Sequence, residues 1–419
     1  MNKPDVLIVE DSAPIIRIHS HLVRRAGFTP TVAKTLAEAK ALEDRLGEFF
    51  CAIIDYNLPD APNGEAIDYL LGQEVPGVVM TGRIDDDTRA AIWKLPVIDY
   101  ITKESRQSFT YLEQLLIKLR ENQDIKVLIV DDSVNSRMHL IRLLRRQNYE
   151  VLSARTGIEA LKQLSDHPDI KLIITDKEMP EMDGIKLCNE VRSQYSKDEI
   201  SIVGVSGVDN PSLTAKFIKN GANDFLKKPF CPEEFYCRVT QNIEYIENIE
   251  TIRRQAHTDA LTGLYNRRYF FQQLAPVLAN RHEQGEPSTL AMLDIDLFKN
   301  INDSFGHQTG DDILQATASM LQQHFGEDGL CARFGGEEFC LFLDQLDQTE
   351  AEARLEQFRC SLEDMNLGED GQDIRCTISI GLAHGCEPSL DALINQADHR
   401  LYQAKSAGRN RIVADASYA

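Results

Sequence analysis

Val6-Leu7-Ile8-Val9-Glu10-Asp11-Ser12 returns 121 residues later as Val127-Leu128-Ile129-Val130-Asp131-Asp132-Ser133. Each copy is an apolar run closed by two acids, the pattern of a fully buried parallel strand with polar groups at its carboxyl end. Ala52-Ile53-Ile54-Asp55 returns at the same spacing as Ile173-Ile174-Thr175-Asp176, so the distance from acid pair to single acid is kept. Met80-Thr81-Gly82 and Tyr100-Ile101-Thr102-Lys103 return as Val205-Ser206-Gly207 and Phe225-Leu226-Lys227-Lys228, now 125 residues on, which gives the second copy a short insertion. Helix-like stretches such as Ser133 to Arg146 and Gly157 to Leu164 lie between the strands, so each copy has the βαβα alternation of a doubly wound α/β sheet.

In such sheets ligands bind beyond the carboxyl ends of the strands. That rule gathers Glu10, Asp11, Asp55, Thr81 and Lys103 around one crevice, and Asp131, Asp132, Asp176, Ser206 and Lys228 around another. Three carboxylates in one place repel each other unless a hard cation joins them, which points to Mg²⁺ on oxygen ligands with the lysine and hydroxyl left for a phosphoryl group. On these residues each copy resembles the CheY-like, flavodoxin-type receiver domain of response regulators. The resemblance implies that Asp55 and Asp176 accept phosphate from a histidine kinase or phosphotransfer protein, that the acid pairs hold Mg²⁺, and that Lys103 and Lys228 bind phosphoryl oxygens. It further implies that Thr81 and Ser206 move toward the phosphate, with Tyr100 and Phe225 as aromatic switch positions. The first copy departs from the pattern after its lysine, where Glu104 stands in place of the proline found at Pro229.

With 419 residues the chain has room for two to four domains at roughly 100–200 residues each. No apolar stretch approaches the ~18 residues of a membrane span and the start carries no signal-peptide pattern, which predicts a cytoplasmic protein without membrane insertion. The nine cysteines show no paired metal or redox spacing and are expected to be reduced. A formal charge of −21 excludes a broad nucleic-acid surface, because such a surface needs clustered cations. Any polyanionic ligand must be held by a few local cations and by metal.

Between Pro232 and about Gln255, Tyr236, Val239, Ile243, Ile246, Ile249 and Ile252 recur at steps of three or four. This predicts one amphipathic helix of about 35 Å, with Tyr236 and Val239 on their own domain and Ile246, Ile249 and Ile252 pairing across a dimer.

The last domain opens at His257-Thr258-Asp259-Ala260-Leu261-Thr262. It continues through an apolar strand into Asp294-Ile295-Asp296, and then through Arg333-Phe334-Gly335-Gly336-Glu337-Glu338-Phe339 between apolar runs. A Gly-Gly pair between strands reads as a hairpin tip that lets a ligand approach the backbone, with its acids beside Asp294 on the neighbouring strand. Such a set suits two divalent cations and phosphoryl chemistry. Lys405 and Arg409, four apart at the close of a helix, read as phosphate clamps on one face.

On Gly335 to Phe339 as signature, this domain resembles the GGDEF diguanylate cyclases, in the GGEEF form and over essentially its whole length. The resemblance implies a palm-like α+β fold with Mg²⁺ or Mn²⁺ at Asp294, Glu337, Glu338 and the Ile295 carbonyl. It also implies a GTP site in which Phe298, Lys299, Lys405 and Arg409 bind the triphosphate, Asn302 and Asp311 read the guanine edge, and Gly335 and Gly336 line the substrate. Glu338 would assist deprotonation of the ribose 3′-hydroxyl, and a homodimer would join two GTP into cyclic di-GMP. The R-x-x-D product-inhibition motif of many members is missing: Gly326 and Gly329 stand at its positions. The expected layout is an α/β multidomain chain with receivers at 1–122 and 123–242, a helical stalk at 243–257 and the GGDEF domain at 258–416.

Overall fold

The computed structural model describes residues 4–82, 92, 94–103, 105–207, 211–344, 346–366 and 374–414; Glu104 and the outermost residues of the expected layout lie outside these. The chain divides into two compact units, Met1–Asn248 and Ile249–Ala419. The division falls inside the helix Pro232–His257.

The first unit holds two five-stranded sheets. In the first, β1 (Asp5–Val9), β2 (Thr29–Ala33), β3 (Phe49–Asp55), β4 (Gly77–Thr81) and β5 (Asp99–Thr102) run parallel in the order β2-β1-β3-β4-β5. In the second, β6 (Lys126–Val130), β7 (Glu150–Ala154), β8 (Ile170–Asp176), β9 (Ser201–Ser206) and β10 (Asp224–Lys227) repeat that order as β7-β6-β8-β9-β10. Parallel strands need crossovers, so helices cover both faces and each sheet carries two cores. The order reverses between β1 and β3, and between β6 and β8, which is where such sheets open a crevice at their carboxyl ends.

A single 3₁₀ turn, Asn122–Asp124, separates the helix Arg106–Glu121 from β6. So short a link forces the two receiver-like sheets together, and polar contacts lock them. Gln147 donates to the Ile98 carbonyl at 2.9 Å, Asn148 to the Leu119 carbonyl at 2.7 Å, and Asn122 to the Gln147 carbonyl at 2.8 Å.

Phe235, Val239 and Ile243 of Pro232–His257 enter the core of the second sheet. Ile246 is also buried within the monomer, which corrects its expected place in a dimer seam; Ile249 is half-buried and Ile252 is exposed.

The second unit is built on β11 (Tyr265–Asn266), β12 (Ser288–Ile295), β13 (Gly329–Gly335), β14 (Glu338–Leu343), β15 (Ile378–Gly385) and β16 (Ile412–Val413), in the order β11-β13-β14-β12-β15-β16. Its four long strands are antiparallel, with cores on both faces. Gly381 on β15 lets the helix Leu390–Ser406 lie directly on the sheet, since a Cβ there would strike the Ala397 carbonyl and the Leu401 amide. That close approach carries Lys405, near the helix end, toward the end of β12.

Candidate functional site

At the carboxyl end of the first sheet, Glu10 and Asp55 are buried and Asp11 is exposed. One ligand oxygen from each lies within 4.8 Å of the others, and among the described residues this is the one set of three metal-ligating side chains so gathered. Lys103 bridges them, 2.6 Å from Glu10 Oε2 and 2.7 Å from Asp55 Oδ2. Burial raises the Glu10 carboxyl above its usual range, although Lys103 pulls the other way. Thr81 is buried at the end of β4, and the Tyr100 hydroxyl donates to Glu233 at 3.4 Å.

The second sheet places Asp131, Asp176, Ser206 and Lys228 at the equivalent end with Asp132 exposed, but among the described residues its three acids are not gathered as the first set is. Asp131 Oδ2 accepts from Ser136 Oγ at 2.5 Å and faces Lys228 at 3.0 Å, while its Oδ1 accepts from the Ser133 amide. Lys228 also reaches Asp176 Oδ1 at 2.7 Å, and Asp176 Oδ2 caps the Glu178 amide. Burial would lower the Lys228 ammonium, but Asp176 and Asp131 outweigh it and hold it above its usual value. Phe225 packs against Phe217 with ring centroids 5.4 Å apart.

In the second unit, β12 and β14 pair so that Asp294 stands opposite Glu338. The connecting Gly335 and Gly336 have φ of 151° and 52°, and open space lies where their side chains would be. Asp294 is buried, Glu337 half-buried and Glu338 exposed. Burial pushes the Asp294 carboxyl up to about 6, with Glu337 and Glu338 adding to the rise and Lys405 opposing it. Lys405 Nζ sits 2.7 Å from Asp294 Oδ2. Among the described residues, Asp294, Glu337 and Glu338 are not gathered within one coordination distance as the receiver-1 acids are, and Lys405 pairs with Asp294.

The remaining expected residues fall on the helices after β12. Leu297 takes a left-handed conformation, φ 55°, and turns the chain into Phe298–Phe305. The Phe298 side chain belongs to the core, which leaves only its backbone for a ligand, and Lys299 is exposed. Asn302 Oδ1 is buried without a hydrogen-bond partner, and it fits only because Gly310 lacks a Cβ. Asp311 is half-buried in the second turn of His307–Phe325. Arg409 lies beyond the end of Leu390–Ser406, so the helical i,i+4 relation expected with Lys405 does not exist. Its φ is 64° and it is exposed.

Two arrangements were not read from the sequence. Arg333 donates from Nε and Nη2 to the Gly336 carbonyl at 3.0 and 2.7 Å, and from Nη1 to Asp259 at 2.9 Å. Burial would raise the Asp259 carboxyl, but Thr262 and Arg333 hold it below its usual range. The glycine hairpin is thus tied to the start of the domain; an arginine two residues before the glycine pair was the available signal. The second is Asp296, buried, with both carboxylate oxygens accepting hydrogen bonds from protein groups. At the missing inhibition motif, a Cβ on Gly326 would strike the Gln322 carbonyl and one on Gly329 the Phe342 carbonyl, so the backbone there is shaped for glycine.

Comparison with known proteins accords with this geometry. Residues 256–411 match the family described as diguanylate cyclase, GGDEF domain, and residues 127–240 match the response regulator receiver domain. Diguanylate cyclase VdcA of Vibrio cholerae is 31% identical over 274 residues, covering 64% of this chain and 74% of VdcA. The chain belongs to the GGDEF family of diguanylate cyclases. Response regulator PleD of Caulobacter vibrioides is 30% identical over 312 residues, which are 70% of this GGDEF protein and 66% of PleD. A crystal structure of a two-component response regulator with a GGDEF domain is 42% identical with a TM-score of 0.53, covering 58% of this chain and all of that one. The receiver family matches the second sheet, and the first sheet of this GGDEF protein repeats that sheet's strand order. Among the described residues, no helix is long and apolar enough to cross a membrane.

Proposed function

We propose that this GGDEF protein condenses two GTP into cyclic di-GMP and two pyrophosphates across a pair of its catalytic domains, under control of phosphotransfer to Asp55 and Asp176. The observation that carries the reading is Asp294 facing Glu338 beside the open Gly335–Gly336 hairpin, with Lys405 already on Asp294. The donor set is all hard oxygen, and burial, with a smaller contribution from Glu337 and Glu338, raises the Asp294 carboxyl, so a bound cation there would be favoured by the acids it faces. Asp294, Glu337, Glu338 and the Ile295 carbonyl would hold Mg²⁺ or Mn²⁺, whose charge when bound favours ionisation of the 3′-hydroxyl and steadies the departing pyrophosphate.

The protein's own groups do the rest. Asn302 Oδ1, a buried acceptor lacking a donor, suits the N–H edge of guanine, with Asp311 as a second acceptor. Backbone N–H groups at Phe298 and Lys299 open a helix and favour phosphate there. Lys405 exchanges the Asp294 carboxylate for a phosphate oxygen, and Arg409 clamps from the following turn. Glu338 takes the 3′-hydroxyl proton, the 3′-oxygen forms its bond to the α-phosphorus of the GTP on the partner domain, and the bond from that phosphorus to pyrophosphate breaks. One domain presents one nucleotide, so the ring closes only in a dimer.

In the receivers, Glu10, Asp11 and Asp55, and Asp131, Asp132 and Asp176, would each hold Mg²⁺ while an upstream histidine kinase or phosphotransfer protein supplies the phosphoryl group. About two added negative charges draw Thr81 or Ser206 and the cognate lysine, and the receiver surface changes. The gain in rate comes from raising the effective concentration of one half-site for the other. Purified protein incubated with GTP and Mg²⁺ should form cyclic di-GMP with a rate rising more steeply than linearly in protein concentration, and beryllofluoride should lower the concentration needed. A linear dependence would remove the dimer step.

A further inference from the structure

Gly408, Arg409 and Asn410 have φ of 114°, 64° and 48°, three successive left-handed residues of which two carry side chains. Such a run persists only where its surroundings impose it. The Arg409 amide donates to the Ala404 carbonyl at 3.0 Å, which closes the preceding helix. Arg359 Nη1 donates to Asn410 Oδ1 at 2.6 Å, and the Asn410 amide donates to Asp296 Oδ2 at 3.0 Å. Asp296 is 5% exposed and is itself held by Thr377 Oγ1 at 2.7 Å, by Ser379 Oγ at 2.6 Å, and through its own amide by the Thr377 carbonyl at 2.8 Å. It lies two residues past Asp294, and Ser379 is the cross-strand partner of Asp294 on β15. One buried carboxylate thus joins the end of the strand bearing Asp294, the neighbouring strand, and the strained turn presenting Arg409.

We propose that Asp296 is a positioning residue for the nucleotide's phosphates: it fixes the Arg409 turn in register with Asp294, so that the guanidinium and the metal-site acid address one triphosphate. The inference rests on the proposed GTP site and on Arg409 as its clamp. Asp296 touches no substrate. Asparagine at 296 keeps one acceptor oxygen and loses the charge, so it holds the Asn410 amide more weakly or turns its N–H group toward it, and the turn is loosened while the acid at 294 stays.

The test is binding of a fluorescent GTP analogue with Mg²⁺ to the full chain, alongside steady-state cyclisation of GTP, in wild type, Asp296→Asn, Arg409→Ala and the double variant. Arg409→Ala and Asp296→Asn should each weaken binding about tenfold and raise KM with kcat changed less than threefold. The double variant should be no worse than Arg409→Ala alone, because Asp296 acts only through that turn. Ser379→Ala with Thr377→Val should show a smaller loss in the same direction, absent in the Arg409→Ala background, and keeps the test open should Asp296→Asn fail to fold. Multiplying losses in the double variant, or a fall in kcat with KM unchanged, overturns the proposal. Wild type that fails to bind the analogue refutes the GTP site itself, whereas binding weakened by Arg409→Ala and untouched by Asp296→Asn refutes only the role of Asp296.

Discussion

The two receiver-like sheets share strand order and a bridging lysine, yet they hold their acids differently. Receiver 1 has Glu10 where receiver 2 has Asp131, and the extra methylene lets the carboxylate reach Asp11 and Asp55. Receiver 2 has Ser136 where receiver 1 has Ile15, and that hydroxyl claims Asp131 Oδ2. The ion pairs of receiver 1 are also deeper, with the Lys103 side chain 11% exposed against 26% for Lys228. Identical topology thus leaves room for one site whose acids are gathered and another whose Asp131 is engaged by Ser136 and Lys228.

The deepest contrast can be broken at the lysines. Lys103→Met strands two buried carboxylates and should cost receiver 1 about 3–5 kcal/mol in the absence of divalent cations. Lys228→Met, at a wetter site, should cost receiver 2 less than half as much. Hydrogen exchange of β1 and β6 in the full chain reads both, and equal losses would erase the distinction.

His19 gives a second contrast, since the matching residue in receiver 2 is Leu140. The imidazole is fully buried, neither nitrogen has a partner, and burial, assisted by Lys103, pushes it down to about 4. The folded state binds this proton more weakly than the unfolded chain. Stability is therefore full above about pH 6.5 and falls as pH drops toward 4, by up to ~3 kcal/mol. His19→Leu should abolish that acid loss and stabilise receiver 1 by about 1–2 kcal/mol at neutral pH. Urea unfolding at pH 7 and pH 5 checks it; an unchanged pH slope would show that other groups carry the effect.

The smallest effect is expected at Ser136. Ser136→Ala frees Asp131 and should tighten Mg²⁺ in receiver 2 a few-fold, about 1 kcal/mol or less, without changing receiver 1. Magnesium titrations on Asp55→Asn and Asp176→Asn backgrounds separate the two sites. Weaker binding would mean that the hydroxyl orients Asp131 for the cation.

Much of this was legible in the chain because it depends on spacing. The 121-residue repeat forces equivalent strands, and strand ends fix where the acids fall. The Gly-Gly pair between apolar runs likewise becomes the β13–β14 hairpin, with Glu338 opposite Asp294. What depends on packing between distant elements was not legible. The Lys405–Asp294 pair follows from Gly381 admitting a helix onto β15, and Arg409 lies outside its helix because it is the middle one of three successive left-handed residues. Ile246 reads as part of an outward stripe but is buried, since periodicity gives a face and not what covers it. Asp296 and Arg333 were visible as residues, and their partners came only with the fold.

The central claim is most directly tested by separating the nucleotides formed from GTP and Mg²⁺ by wild type and by Asp294→Asn. Wild type should yield cyclic di-GMP and pyrophosphate in a 1:2 ratio, and the variant none. The variant should melt no lower than wild type at pH 7, because burial makes the ionised Asp294 a cost to the ligand-free fold. GTP left intact by a folded, concentrated wild-type protein bearing beryllofluoride, or cyclic di-GMP made equally well by Asp294→Asn, would contradict the account.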